Sequence, residues 1–340
     1  MLKKFVLGLF VCGLANSASA QQDKHFSMFA ESPMYLNPAS AGFSPGQLQL
    51  FTNFRMQWTS ASDNPFRTIS GSADWRMFDR GSFIGAGINF YNDVAGDGQY
   101  SINEITVPIN YAIQLSKDNH LSIGLQPGWY SRTLLNSALT WDNQWTGTEF
   151  NTAIPSNEAL FSQPNLSVNK FDLSAGLYWY AHLSKEFRIS LGIAGHHLTK
   201  QKINILTADD KLFRKLTIHG QLAINRTNSN VTVLPAFFGF VQGSNMEMTV
   251  GSNFRFLLRG ASHVTGYWEE IALSFGTYYR IGDAAIVNMM FDISGFTVGG
   301  SYDFNISGLT PATNSFGGFE VFLRYRMNFQ RRGLGNPSIH

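Results

Sequence analysis

From Gly318 to Phe329 the chain changes between apolar and polar side chains at nearly every step. Successive side chains of a strand point to opposite faces. Phe319, Val321, Leu323, Tyr325, Met327 and Phe329 therefore share one face, and Glu320, Phe322, Arg324, Arg326 and Asn328 share the other. The same alternation recurs in Gln47 to Trp58, Thr68 to Met77, Glu104 to Ser116, Phe171 to Tyr180 and further segments up to the last one. Most of these are near the 9 to 11 residues that a tilted membrane strand requires. The pattern implies an all-β fold, a transmembrane antiparallel β-barrel of 14 strands, with 12 or 16 left open.

The first residues give such a sheet a route to lipid. Lys3 and Lys4, an apolar run from Phe5 to Ala15 and the small-residue site Ala18-Ser19-Ala20 form a secretory signal peptide over 1–20. Cys12 lies inside its apolar run after bulky Val11, which argues against lipid attachment, and it is the only cysteine. A chain processed at Gln21 then has no thiol for a disulfide, a nucleophile or a metal. Cleavage also removes two lysines and no acid from 25 basic and 23 acidic residues, so little net charge remains to attract nucleic acid. Charged residues make up 14% of the chain, well under the roughly 25% of soluble domains. No later apolar run approaches the 18 or so residues of a membrane helix.

The organisation expected is a signal peptide (1–20), a periplasmic N-terminal lead-in (21–46), the barrel (47–329) and a periplasmic C-terminal tail (330–340). Connections at Asp79 to Ser82, Lys117 to Asn119, Leu183 to Glu186 and Arg226 to Asn230 are tight, whereas Asn92 to Asn103, Ser131 to Lys170 and His196 to Lys215 are long. Barrels of this class have short periplasmic turns and longer outer loops, which places both termini in the periplasm. The alternation fails between residues 241 and 284. Pro108, Pro127 and Pro235 fall inside strands of a wall with no free edge and are read as bulges. In the lead-in, Leu36, Asn37 and Pro38 followed by Gly42 have turn chemistry, suited to packing against the first strand or to contacting other machinery.

The polar faces collect Arg55, Arg76, Arg255, Arg280, Arg324 and Arg326 with Asp74, Asp172, Glu247, Asp303 and Glu320. Ionisable groups at membrane depth are costly unless they face water or a partner, so these belong to the lumen. They would form either an ion-pair ladder that stiffens the wall or a cradle for a polypeptide. Trp141, Trp145, Phe150 and Phe161 lie in the longest loop and suit partner docking or loop packing. His196-His197 has no ligand-spaced companion, and neither a G-x-S-x-G elbow nor a phosphate-binding glycine loop is present. No metal, cofactor or enzymatic activity is expected.

The segment Ser32-Pro-Met-Tyr-Leu-Asn-Pro-Ala-Ser-Ala-Gly42, followed by Asn53-Phe-Arg-Met-Gln-Trp58, resembles the opening of the PorP/SprF family of type IX secretion system membrane proteins. Phe171 to Tyr178 is similar to its central region. Tyr279-Arg280, Gly300-Ser-Tyr-Asp-Phe304 and Phe319 to Arg326 are similar to its closing strands. Glu31-Ser32 and the tail after Phe329 depart from the pattern. The resemblance implies an integral outer-membrane barrel in gliding or otherwise type IX-secreting bacteria. It would bind and retain a secreted surface adhesin through that adhesin's C-terminal domain, in association with other secretion components. The alternative is a passive or substrate-selective channel.

Overall fold

The computed structural model describes residues 25–60, 62–135, 139–156, 165–203, 211–260, 270–308 and 310–327. Its strands are β1 Leu48–Gln57, β2 Phe66–Arg80, β3 Ser82–Ala95, β4 Tyr100–Thr106, β5 Ile109–Ser116, β6 Asn119–Leu135, β7 Asn165–His182 and β8 Phe187–His196. They continue as β9 Lys215–Asn225, β10 Val231–Gln242, β11 Asn245–Arg259, β12 Ile271–Arg280, β13 Ala284–Ile293, β14 Phe296–Asn305 and β15 Phe316–Met327. Neighbours pair antiparallel, and β1 pairs with β15 from Leu48↔Met327 to Gln57↔Gly318, which closes the ring. No helix among the described residues is long and apolar enough to cross a membrane.

β4 and β5 both lie between β3 and β6 and form two halves of one wall strand, so the barrel has 14 strands. Val107 and Pro108 part the halves without displacing them. The Val107 amide donates to Pro127 O and the Gly87 amide to Pro108 O, each at 2.9 Å. The three prolines are therefore not bulges. The register runs unshifted from β4 to β5, Pro127 stands opposite Leu173, and Pro235 stands opposite Ser252. A missing N–H costs the ladder a rung without adding a residue, so register is kept. The shifts occur instead at Met77/Arg80, Gln114/Ser116, Leu257/Arg259 and Asp303/Phe304.

The strand ends flanking 58–65, 136–164, 197–214 and 306–315 lie at one end of the ring, and those flanking the turns at Gly81, 117–118, 183–186, 226–230 and Ser294-Gly295 at the other. The break in alternation between 241 and 284 is one of loop length, not strand count. The tight turns Gly243-Ser244 and Ile281–Asp283 sit at the long-loop end, and the strand ends Arg259 and Ile271, with eleven residues between them in sequence, at the short-turn end. Two adjacent short turns are tied together by Glu186, whose carboxylate accepts from the Thr227 amide at 2.8 Å and its hydroxyl at 2.7 Å. Those two donors hold the carboxyl below its ordinary pKa.

Strand alternation sets the two surfaces. On β15, Val321 and Leu323 are among the outward side chains exposed to a lipid environment, while Glu320 and Phe322 on the inner face are each 1% exposed. A lipid-facing charge at mid-depth costs about 2–4 kcal/mol. In a urea titration, the stability of the barrel folded into liposomes is expected to fall by about that amount in Val321→Arg. Lys117→Arg, in an exposed short turn, should leave it unchanged in the same urea titration.

The expected periplasmic lead-in is corrected in its described part. Residues 25–46 lie within the ring, with three short helical turns at Phe29–Glu31, Pro33–Leu36 and Pro38–Ser40 joined by the single residues Ser32 and Asn37. Phe26, Met28, Phe29, Met34, Tyr35 and Leu36 are all buried, which a segment left in water could not achieve. Phe29 and Leu36 join a cluster with wall residues Phe238, Tyr278 and Ile286, while Phe26 and Tyr35 join another with Phe51 and Phe322.

Candidate functional site: the filled lumen

The segment fills the barrel from one end to the other. At the short-turn end the Gln47 amide donates to Met327 O at 2.9 Å, the Gly42 amide to Asp74 Oδ2 at 2.9 Å, and Arg76 Nε to Gly42 O at 2.7 Å. Midway, Asn37 caps the Pro38–Ser40 turn, its Oδ1 accepting from the Ala39 amide. Its Nδ2 reaches two wall carbonyls, Leu177 O at 2.8 Å and Ile193 O at 3.3 Å. Leu36 O accepts from Thr217 Oγ1 at 2.9 Å and lies 3.0 Å from His196 Nε2. On the opposite wall the Tyr35 hydroxyl lies 2.6 Å from Gly71 O and 2.7 Å from Phe90 O. The Leu36-Asn37-Pro38 turn with Gly42, first read as a lead-in motif, is thus the middle of this plug.

Glycine makes the room. A Cβ on Gly124 would lie 2.5 Å from the Ala39 amide nitrogen and 2.6 Å from its Cα. One on Gly176 would meet the Asn37 side chain, and one on Gly85 the Ala41 carbonyl. These inward glycines of β3, β6 and β7 do weaken the ladder, and what they provide is a flat wall against which the plug backbone lies.

Towards the long-loop end the lumen charges converge on Ser27. Arg55 pairs with Asp303 and Glu320 at 3.1 Å each, and Arg280 pairs with Asp303 at 3.2 Å, Asp283 at 3.1 Å and Glu247 at 3.5 Å. The Ser27 amide donates to Glu320 at 2.8 Å and its hydroxyl to Asp303 at 2.7 Å, while Arg55 and Arg280 donate to that hydroxyl at 2.7 and 3.1 Å. Desolvated ions need their remaining lone pairs and protons satisfied, and removing one member of such a set costs about 3–5 kcal/mol. Lower down, Arg324 pairs with Glu31 of the plug, and Arg255 with Asp292 and Glu270. Arg326 is half-buried on the same inner face. The lumen charges therefore act both as a mutual network and as a cradle, and what they cradle is the chain's own N-terminal segment.

The other sequence candidates lie apart. Trp145 and Phe150 are opposed in a β-bridge with rings 5.0 Å apart and about half exposed, braced by Gln144, whose Oε1 accepts from the Trp141 amide. Phe161 lies outside the described residues. Trp58, a half-exposed residue just after β1, packs edge-on against Phe66 at 5.1 Å. The two histidines hold different partners. His196 Nδ1 lies 3.2 Å from Ser174 Oγ with its other nitrogen towards the plug, and His197 Nδ1 lies 2.9 Å from Asp172. Among the described residues no three His, Cys, Asp or Glu side chains are placed to hold a metal.

Sequence reasoning did not single out Ser27, Glu31 or Tyr35 for the lumen. The signal available was an apolar series, Phe26 to Leu36, in a stretch assigned to water, together with inward glycines in strand after strand.

A closed antiparallel ring, apolar outside and polar inside, defines an outer-membrane β-barrel protein, here with its lumen filled. The fold agrees with solved barrels. It is similar to the CymD monoaromatic hydrocarbon channel at TM-score 0.52 and 13% identity over 90% of this chain and 94% of that one. It is also similar to the TodX deltaS2S3 mutant monoaromatic hydrocarbon channel at TM-score 0.52 and 9% identity over 87% and 94%. Residues 18–325 match the family of the type IX secretion system membrane protein PorP/SprF, and the chain belongs to that family. No curated protein matches its sequence.

Gly124→Leu is expected to displace the plug while leaving strand pairing intact. Chymotrypsin should then cut between Phe26 and Leu36 in the folded barrel, whereas Gly300→Ala, where a Cβ has ordinary clearance of 3.5 Å, should stay resistant there.

Proposed function

We propose that the protein is a closed outer-membrane receptor that retains a type IX-secreted adhesin at the cell surface, holding the adhesin's C-terminal domain against its long-loop end. The observation that carries this reading is the filled lumen: a barrel stoppered along its length works through its surface. The two longest links, 136–164 and 197–214, start and finish at one end, and the Trp145–Phe150 pair there offers rigid aromatic area of the kind that anchors protein interfaces. In this reading the long loops face outwards, lipids surround the wall, and other secretion components approach from the short-turn end. The barrel carries out no chemistry.

Family membership supports the link to type IX secretion, and the choice of an adhesin as partner is tested genetically. A strain lacking the protein should shed one surface adhesin into the medium while the export of other substrates continues. Trp145→Ala with Phe150→Ala should weaken adhesin retention tenfold or more, since aromatic hot spots each contribute about 2 kcal/mol. Full surface retention of every such adhesin in the deletion strain would remove this reading.

The alternative, a substrate channel, needs the plug to leave. One cavity, between Pro33 and Leu36 of the plug and Tyr178, His219 and Phe237 of the wall, measures about 60 Å³. A cavity of about 150 Å³ is what accommodates benzene in an engineered protein core, so this one is too small for such a hydrocarbon. Purified wild-type protein should be silent in planar bilayers, and a variant lacking residues 25–43 should conduct. Stable conductance by the wild type would favour the channel.

A further inference from the structure

β7 is paired unequally on its two sides. Its residues from Asn165 to Ala181 all stand opposite β6, whereas pairing with β8 begins only at Ala175↔Gly195. Two bonds continue a little further along that edge, from the Leu198 amide to Leu173 O at 2.9 Å and from Thr199 Oγ1 to Phe171 O at 3.4 Å. The chain then leaves it. His197 and Lys200 take positive φ values of 56° and 46°, uncommon for residues other than glycine, and the loop turns into the lumen, where Ile203 is buried with Tyr130 and Leu212. From Leu166 to Lys170 the edge of β7 is left open. Residues of a strand bond alternately to either side, and Phe171 O and Leu173 O point to the β8 side, so the amides and carbonyls of Ser167 and Asn169 point there too. Among the described residues no hydrogen bond reaches these groups from that side.

An unpaired edge cannot lie in hydrocarbon, and the outer face shows that this one does not. Phe90, Ile105, Trp129 and Phe171 form one register row of exposed apolar side chains, and the next outward row towards the long loops is Asn92, Asn103, Ser131 and Asn169. The apolar surface ends between these rows. The open edge therefore stands clear of lipid on the long-loop side.

We propose that this edge of β7 binds an extended segment of the secreted polypeptide as an added strand, an assignment that rests on the receptor reading. The five residues from Leu166 to Lys170 match the usual length of a strand, and main-chain bonds to Ser167 and Asn169 supply affinity without regard to sequence. The pleat supplies preference. Leu166, Val168 and Lys170 are half-buried and share the inner side of the edge, and Lys170 has no ion-pair partner among the described residues. The strand that fits best has apolar side chains beside Leu166 and Val168 and an acidic one beside Lys170. A second copy of the barrel paired through the same edge would bring another lysine and no acid, so the edge suits a different chain.

Hydrogen exchange of the purified barrel in lipid tests the edge itself. The Ser167 and Asn169 amides should exchange at least tenfold faster than those of Val168 and Lys170, which point to β6, and equal protection of all four would overturn the proposal. The occupant is tested in a deletion strain carrying the wild type, Asn169→Pro or Lys170→Glu, by the fraction of the retained adhesin shed into the medium. Asn169→Pro removes a donor that β6 does not use, so the barrel should reach the membrane at the wild-type level and shed tenfold or more adhesin above the wild type. Lys170→Glu should shed several-fold more, and it decides the matter if Asn169→Pro is missing from the membrane. Wild-type retention by these variants, while the deletion strain sheds, would overturn the added strand and leave the receptor standing. If the deletion strain sheds nothing, the receptor reading falls and the added strand with it. A wild-type dimer in mild detergent that Asn169→Pro renders monomeric would give the edge to a second copy, against the proposal.

Discussion

A polar group on the inner wall that does not meet water must meet another partner, and in this barrel many of those partners are supplied by residues 25–46. The four ions Arg55, Arg280, Asp303 and Glu320 come from four separate strands and share the Ser27 hydroxyl and amide as a common ligand. Without Ser27 the two arginines and two carboxylates would still pair, but with protons and lone pairs unmet in a desolvated site, where such deficits are most costly. The same dependence runs the other way: the apolar side chains of the plug are buried only because inward aromatics such as Phe238, Tyr278 and Phe322 face them. Wall and plug complete each other, so the barrel is better viewed as one core with a membrane around it than as a tube with an insert.

This explains the positions of the inward glycines and the mixed character of the inner face. A porin lumen has to please water everywhere. Here the inner face carries charge near Ser27 and Glu31, bare backbone at Gly124 and Gly176, and aromatic surface near Phe29 and Phe43, each opposite a matching part of the segment. Phe43 alone lies 4.9 Å from both Phe83 and Tyr178, bridging β3 and β7 across the short-turn end.

The strands were legible because their signal is local. Alternation in Gly318 to Phe329 and its counterparts places each element and its two faces, and closure of β15 on β1 follows from the need to leave no edge in lipid. The inward placement of Arg55, Asp303 and Glu320 rests on the same alternation. The plug was illegible because its partners are remote: Ser27 meets Glu320 across 293 positions, and Asn37 meets Leu177 across 140. Turn chemistry at Asn37-Pro38 gave the local shape of that segment but said nothing of what it lies against. The prolines misled for a related reason, since sequence marks a missing donor without revealing that the neighbouring register absorbs it.

The central claim is that residues 25–46 are a packed part of the folded barrel, and amide hydrogen exchange in the intact protein in lipid tests it most directly. The amides of Ser27 and Met28, held by Glu320, and of Ala39 and Gly42, held by Asn37 and Asp74, should exchange as slowly as those of the wall strands. Exchange of these four at the rate of an unstructured peptide, beside protected strands, would contradict the account.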